Sequence, residues 1–285
     1  MSDLSNNIVI HIKKDECEYL QFKELLKYGI KHAYGLIPGN YRTLGNNVDK
    51  NKYNNAIENY KVLCDAINVD YKNLIKPVQS HTNNVEIVDE KIDINEANIL
   101  NNIYKPNYES FKFNNTDGLI TTNSNVILGT TNADCILLLI YDPVKGVIAN
   151  VHSGWRGTFK KIAVNTINKM CSIYNCNPKD IICCICPSIR KCHFEVEDDV
   201  KNMCVEIFEN TGKLNDIIQF AGIKNNKNKW MIDTVLINKI MLKECGLKEE
   251  NIIDCGICSV CNSKNVHSYR VEGKNFGLST AIISK

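Results

Sequence analysis

The chain lacks any apolar run long enough to cross a bilayer: the longest, Cys135 to Tyr141, falls far short of the roughly 20 residues a membrane helix requires. No export signal is expected, because the opening residues Met1-Ser2-Asp3-Leu4 carry no basic region and Ile8-Val9-Ile10 is too short an apolar core. Charge of one sign is scarce. Against 32 acidic residues stand 34 Lys and Arg, a net charge of +2 with a pI near 7.8, so the basic excess that nucleic acid or an anionic membrane demands is missing. Low-complexity segments and convincing short repeats are absent, and no linker divides the chain, so one domain over residues 1–285 is expected. These absences lead to the expectation of a cytoplasmic protein with no nucleic-acid or membrane partner, its oligomeric state open.

What is present is a chain of 285 residues, 44% of them hydrophobic, which suffices for a sizeable core. Fourteen cysteines in a long chain without an export signal read as reduced thiols. Most have the context of small hydrophobes, as in Cys183-Cys184-Ile185-Cys186, expected to be a buried strand.

Ile8 to Ile12 reads as a first strand and Glu16 to Lys27 as a short amphipathic segment with apolar positions at Leu20, Phe22, Leu25 and Leu26. Gly29 to Asn55 is looser, with a loop over Gly39 to Asn47, and Asn54 to Ile67 has helical spacing. Lys76 to Val88 reads as strand, loop, strand, which puts His81 at the joint. Glu90 to Tyr108 is polar and irregular, and Thr116 to Thr122 is a strand entered through a turn. Helical spacing recurs after Thr158, from Glu197 to Phe208 and from Met231 to Cys245. Asp180 to Cys186, Ile252 to Gly256, Val266 to Val271 and Ser279 to Ile283 are expected strands. Strands interleaved with three or four helices make the fold α/β or α+β, with mixed rather than purely parallel sheets.

The densest chemistry lies between Thr131 and Thr158. Two β-rich apolar runs flank a turn at Asp142 to Gly146; Cys135 opens the first and His152 closes the second. Strand residues rise about 3.3 Å each, so a hairpin folded there brings these two side chains to nearly the same height on neighbouring strands, within reach of one metal ion. Gly154 and Gly157, around Trp155-Arg156, allow a tight turn into the next helix and leave N–H groups and an arginine beside the ligands. A metal that does chemistry needs three protein ligands and an open position. Spacing alone does not nominate the third, and His81, between two strands, is the best placed. Cys135 as a nucleophile is the alternative, although a metal-bound thiolate loses much of that reactivity. Cys255-x-x-Cys258-x-x-Cys261, followed by His267, has the spacing of a second metal site or a redox pair, without the other half of a zinc ribbon.

Six segments fall in an order and spacing that one group shares: Gln79-Ser80-His81; Asp117-Gly118-Leu119-Ile120-Thr121; Ala133-Asp134-Cys135; His152-Ser153-Gly154-Trp155-Arg156-Gly157; Pro187-Ser188-Ile189 with Cys192-His193-Phe194-Glu195-Val196; and His267-Ser268-Tyr269-Arg270. Together they resemble the purine nucleoside phosphorylase family also called multicopper polyphenol oxidases or laccase-domain proteins, from about Lys76 to the C-terminus and more faintly before it. The resemblance implies an α+β fold, a single domain built as a four-layer α/β/β/α sandwich with mixed β-sheets, and a zinc ion held by His81, Cys135 and His152. It further implies phosphorolysis of adenosine, inosine and 5′-methylthioadenosine and deamination of adenosine, with purine nucleosides and phosphate as partners.

Within that resemblance Asp134 is the candidate to shuttle protons in deamination, a turn or capping carboxylate being its structural alternative. Arg156 and Arg270 are the candidates to hold phosphate, and Arg156 could instead stack on Trp155. Leu137, Val271 and Gly277-Leu278 stand where relatives often have Pro, a second Arg and Gly-Arg, departures that bear on substrate contacts more than on the metal. Copper(II) would bind the same ligands more tightly in vitro. Two rival readings are a copper-dependent polyphenol oxidase, for which six histidines are few, and a non-enzymatic metal-binding regulatory module.

Overall fold

The computed structural model describes residues 2–14, 16–45, 48–97, 111–209 and 212–285. The irregular segment expected over Glu90 to Tyr108 lies outside these from residue 98 onward, as do Asn46 and Asn47 of the early loop. An antiparallel meander opens the chain: β1 (Val9–Lys14), β2 (Cys17–Phe22) and β3 (Lys31–Gly35), with helix α1 (Lys23–Lys27) after β2. The segment Glu16 to Lys27 is therefore strand first and helix only at its end. Its aromatic and sulfur side chains suit a pleated surface, and Val9 pairs with Phe22 across the ladder. Next come α2 (Lys50–Ala66), β4 (Leu74–Ile75), β5 (Val85–Ile87), α3 (Ile94–Ala97), β6 (Gly118–Thr121) and β7 (Ile127–Asn132). Asp49 caps α2 by accepting from the Lys52 N–H.

The central hairpin forms as the spacing requires, with β8 (Ile136–Asp142) antiparallel to β9 (Val147–Ser153) and Leu137 opposite His152. Asp142 closes its turn by accepting from the N–H groups of Val144 and Lys145. Beyond it lie α4 (Trp155–Phe159), α5 (Ile162–Tyr174), β10 (Ile182–Ile185), β11 (Glu195–Val196), α6 (Asp198–Phe208), α7 (Leu214–Ile217), β12 (Ile218–Lys224) and β13 (Lys227–Ile232). The chain ends with α8 (Thr234–Glu244), β14 (Ile252–Asp254), α9 (Tyr269–Glu272) and β15 (Ser279–Ser284).

Two expectations are corrected here. The helix expected from Met231 starts at Thr234, because Met231 and Ile232 finish the hairpin β12–β13 and Asp233 caps α8 through the Leu236 N–H. The strand expected over Val266 to Val271 is a loop entering α9, where the Glu272 carboxylate accepts from the Ser268 N–H and closes a turn.

Two six-stranded mixed sheets result, ordered β1-β2-β3-β15-β7-β4 and β14-β10-β8-β9-β6-β5, with a small third sheet, β11-β13-β12. Leu20, Leu128, Leu137, Leu139 and Ile283 interlock between the two large sheets. Tyr60 and Leu63 of α2 cover the outer face of the first, and Ile162, Ile167 and Met170 of α5 with Val235 and Leu242 of α8 cover the second. The order of layers is thus α/β/β/α. Strands β8 and β9 are buried along their whole length, which is why they read as nearly continuous apolar runs. Among the described residues no helix is long and apolar enough to cross a membrane.

One polar stitch joins the sheets. Asn150, fully buried on β9, donates from its Nδ2 to the Leu128 and Ala281 carbonyls of the facing sheet at 2.9 and 2.8 Å and accepts from the Thr130 hydroxyl. Asn150→Ala strands these groups without water, so we expect a loss of about 2–4 kcal/mol, read as a lower urea midpoint with an unchanged denaturant slope.

Candidate metal centre and active site

Three elements deliver the cluster. Cys135 immediately precedes β8, His152 is the penultimate residue of β9, and His81 sits in the loop before β5. Their ligating atoms lie within 4.8 Å of one another, with Cys135 Sγ 3.8 Å from His81 Nε2 and the two imidazole rings edge to face at 4.9 Å. The turn into α4 must pass against this group. A Cβ on Gly154 would come within 2.8 Å of His81 Cδ2 and 3.3 Å of Cys135 Sγ, so only glycine fits there.

Asp117, fully buried just before β6, orients two of the three. Its carboxylate accepts from the successive N–H groups of Ser80, His81 and Thr82 and from the Thr82 hydroxyl. It also accepts from His152 Nδ1 at 2.8 Å, which turns Nε2 toward Cys135. Burial opposes ionisation of Asp117, but His152 and these donors hold its carboxyl below the usual range. His81 is thereby kept at a φ of +59°, a left-handed conformation that side-chain-bearing residues adopt at a cost. Burial would raise the Cys135 thiol; the neighbouring His152 and then His81 outweigh it and bring the thiol down to about 6. Burial likewise disfavours the His152 cation, and Cys135 and Asp117 outweigh it, raising the ring to about 9. Binding a metal ion would release the His152 proton and leave a thiolate and two imidazoles as donors.

The cluster opens on a cavity of about 960 Å³. Tyr41, Trp155, Phe194, Tyr269 and Phe276 supply aromatic wall, and the cations on its lining are Arg42, Lys76 and Arg270. Arg42 lies over the Phe276 ring at 4.3 Å, and the Arg270 guanidinium donates to the Glu195 carbonyl. Lys76 is buried with its ammonium 4.5 Å from the centre of the Tyr60 ring, and burial lowers it to about 7.

His81, Cys135, His152, Asp134 and Arg270 all line this cavity. Asp134, at a φ of +84°, accepts from the Ser259 hydroxyl at 2.6 Å and from the Arg270 N–H at 2.8 Å. Arg156 does not line it: the residue is exposed, with its guanidinium stacked 4.1 Å from the centre of the Trp155 ring. The cysteine series near the C-terminus divides, since Cys255 is buried beside Arg190 and His267 is bound to Glu272 and the Gly39 carbonyl. Sequence reasoning missed the roles of Asp117, Arg42 and Lys76. Asp117 opens the segment Asp117 to Thr121, where nothing local marks a carboxylate that will orient histidines, and a lysine before a proline carries no signal that it will be buried.

Asp117→Asn puts an amide among N–H donors and removes the charge that orients His152. We expect metal affinity to fall about 10–100-fold, measured against a chromophoric chelator, with the circular dichroism spectrum retained; unchanged affinity would show that the histidines are oriented otherwise. For Lys76 the sign is set by its lowered folded value. Between about pH 7 and pH 10 the unfolded chain binds the extra proton, so the lysine's penalty is full below that window and disappears through it. The stability advantage of Lys76→Met over the natural chain should therefore be largest below about pH 7 and shrink toward pH 10 in urea titrations.

The model of the family described as "Multi-copper polyphenol oxidoreductase laccase" matches residues 31–285. The purine nucleoside phosphorylase YlmD of Bacillus subtilis is 27% identical over 215 residues, covering 75% of this chain and 72% of that protein. The adenosine deaminase RL5 of an unknown prokaryotic organism is 30% identical over 220 residues, covering 75% and 76%. Among solved structures, the hypothetical protein YfiH of Bacillus licheniformis superposes with a TM-score of 0.80 over 96% of this chain and 98% of that one, at 21% identity, and shares the fold. A match that spans the sequence from the third strand to the last residue, rather than one motif, makes this chain a member of the multi-copper polyphenol oxidoreductase laccase family.

Proposed function

We propose that the protein is a zinc-dependent purine nucleoside enzyme of the cytoplasm, folded as one domain over residues 1–285. In this reading it phosphorolyses adenosine, inosine and 5′-methylthioadenosine and deaminates adenosine. The observation that carries the reading is the opening of a three-ligand Cys-His-His cluster onto a cavity with both aromatic and cationic walls. Relatives named purine nucleoside phosphorylase and adenosine deaminase support it.

One thiolate and two imidazoles are a donor set for zinc rather than for magnesium or calcium, and three ligands leave a position for chemistry. Bound there, zinc supplies a Lewis acid and a water acidified toward about pH 7. The chain's own residues do the rest. The aromatic walls take the purine, and Asp134 Oδ1, paired with the Ser259 hydroxyl, holds and returns the proton that the departing amine of adenosine requires. In phosphorolysis Arg270, Arg42 and Lys76 hold hydrogenphosphate while its oxygen bonds C1′, the bond from C1′ to N9 breaks and the purine takes the proton that the phosphate gives up. A bound phosphate favours the charged form of Lys76, which burial alone disfavours. Arg156 enters the proposal through Trp155, which it holds at the cavity wall.

The histidines weigh against a multicopper oxidase. His11 is held by Glu18, His32 is buried on the Phe22 N–H and the Ile30 carbonyl, and His267 is bound to Glu272. His81, His152 and His193 remain, divided between two separate clusters, and an array of coppers needs more imidazoles in one place.

The test is chromatography of products after incubating the zinc-loaded protein with adenosine, with and without phosphate, beside His81→Ala. Phosphate-dependent adenine, or inosine with ammonia, should appear and be lost in the variant. Metal-loaded protein that turns over no purine nucleoside, yet consumes oxygen with a phenol, would favour the oxidase; neither activity would favour the regulatory module.

A further inference from the structure

We propose that the protein binds a second metal ion, of the zinc class, closed off by four side chains: Cys192, His193, Cys258 and Cys261. The inference does not depend on what the large cavity binds.

The four ligating atoms lie within 4.8 Å of one another. His193 Nδ1 stands 3.2, 3.7 and 3.5 Å from the sulfurs of Cys192, Cys258 and Cys261, and Cys192 Sγ stands 3.7 and 4.0 Å from those of Cys258 and Cys261. Zinc–sulfur and zinc–nitrogen bonds of about 2.3 and 2.0 Å at tetrahedral angles make edges of roughly 3.8 Å between sulfurs and roughly 3.5 Å from sulfur to nitrogen. The cluster already has that shape. All three cysteines are free, and the paired sulfurs stand far beyond bonding distance, so the arrangement is that of a tetrahedron around one ion rather than of a disulfide. Four protein ligands with three sulfurs describe a structural site, in contrast to the three-ligand centre on the cavity.

The topology explains how residues more than sixty positions apart meet. Strands β10 and β14 run parallel side by side, so the loops that leave them emerge at the same end of the sheet, where Ser188 bridges to Cys258 and accepts from the Ser259 N–H. An ion there staples the two loops together. These loops also serve the first site: Ser259 donates to Asp134, Phe194 lines the cavity, and the Glu195 carbonyl receives Arg270. The second ion would therefore fix the substrate side of the cavity without touching substrate.

The test uses the full chain. Elemental analysis of His81→Ala/Cys135→Ala, which removes the first centre, should still find one zinc per chain, and cobalt exchanged into it should show the charge-transfer absorption of several thiolates. Cys258→Ser/Cys261→Ser should lose that absorption. As this variant could fail to fold, alkylation of the natural chain supplies an independent readout: exposed Cys192 and Cys261 should react about tenfold or more slowly when zinc-loaded than after chelation. Absence of residual metal in His81→Ala/Cys135→Ala, alkylation indifferent to zinc, or a disulfide among the three cysteines would overturn the proposal.

Discussion

The Asp117 carboxylate, with no exposure to solvent, accepts from three consecutive N–H groups of the His81 loop and from the His152 imidazole. A buried charge survives only with such a set of donors, and this one serves two residues of the candidate metal cluster that come from different elements. The loop bearing His81 and the strand bearing His152 are thus fixed relative to each other through a single group. Cys135 is held separately, by Asn132, whose Nδ2 donates to the Cys135 and Pro187 carbonyls. Removing Asp117 would free the His152 imidazole and leave the left-handed backbone at His81 without the contacts that offset its strain.

The layered fold supplies the rigidity that such a site needs. Strands β8 and β9 sit inside their sheet, covered on one side by the facing sheet and on the other by α5 and α8, so ligands at their ends cannot drift. Gln79 extends this hold to the third ligand: its amide exchanges hydrogen bonds with the Thr131 carbonyl and N–H at the end of β7. The cavity then lies where loops from both large sheets converge, which lets cations from residues 42, 76 and 270 share one space. Among these, Lys76 is the costliest, being buried against the Tyr60 ring with a long contact to the Thr43 hydroxyl.

The hairpin that brings Cys135 and His152 together is legible because its cause is local: two apolar runs of the right length around an Asp-Pro turn allow little else. His81 was legible as a loop residue between strands, and the order of the motifs tied it to the pair. Asp117, Arg42 and Lys76 were not, since each acts through contacts to residues distant in the chain. The same holds for Cys192 and His193, whose partners arrive through the parallel pairing of β10 with β14. Local ambiguities have local reasons. The segment Cys17 to Phe22 has apolar positions that satisfy helix and strand alike, and partner strands decide. The hairpin β12–β13 turns on Asn225-Asn226, both at positive φ, a turn signal present in the sequence but passed over.

The most direct test of the account is an anomalous-scattering map at the zinc edge from crystals of the protein soaked with inosine. A peak is expected between His81, Cys135 and His152, with the purine against the aromatic wall of the adjoining cavity. A nucleoside bound elsewhere, or a cavity holding it with no metal among those three side chains, would contradict it.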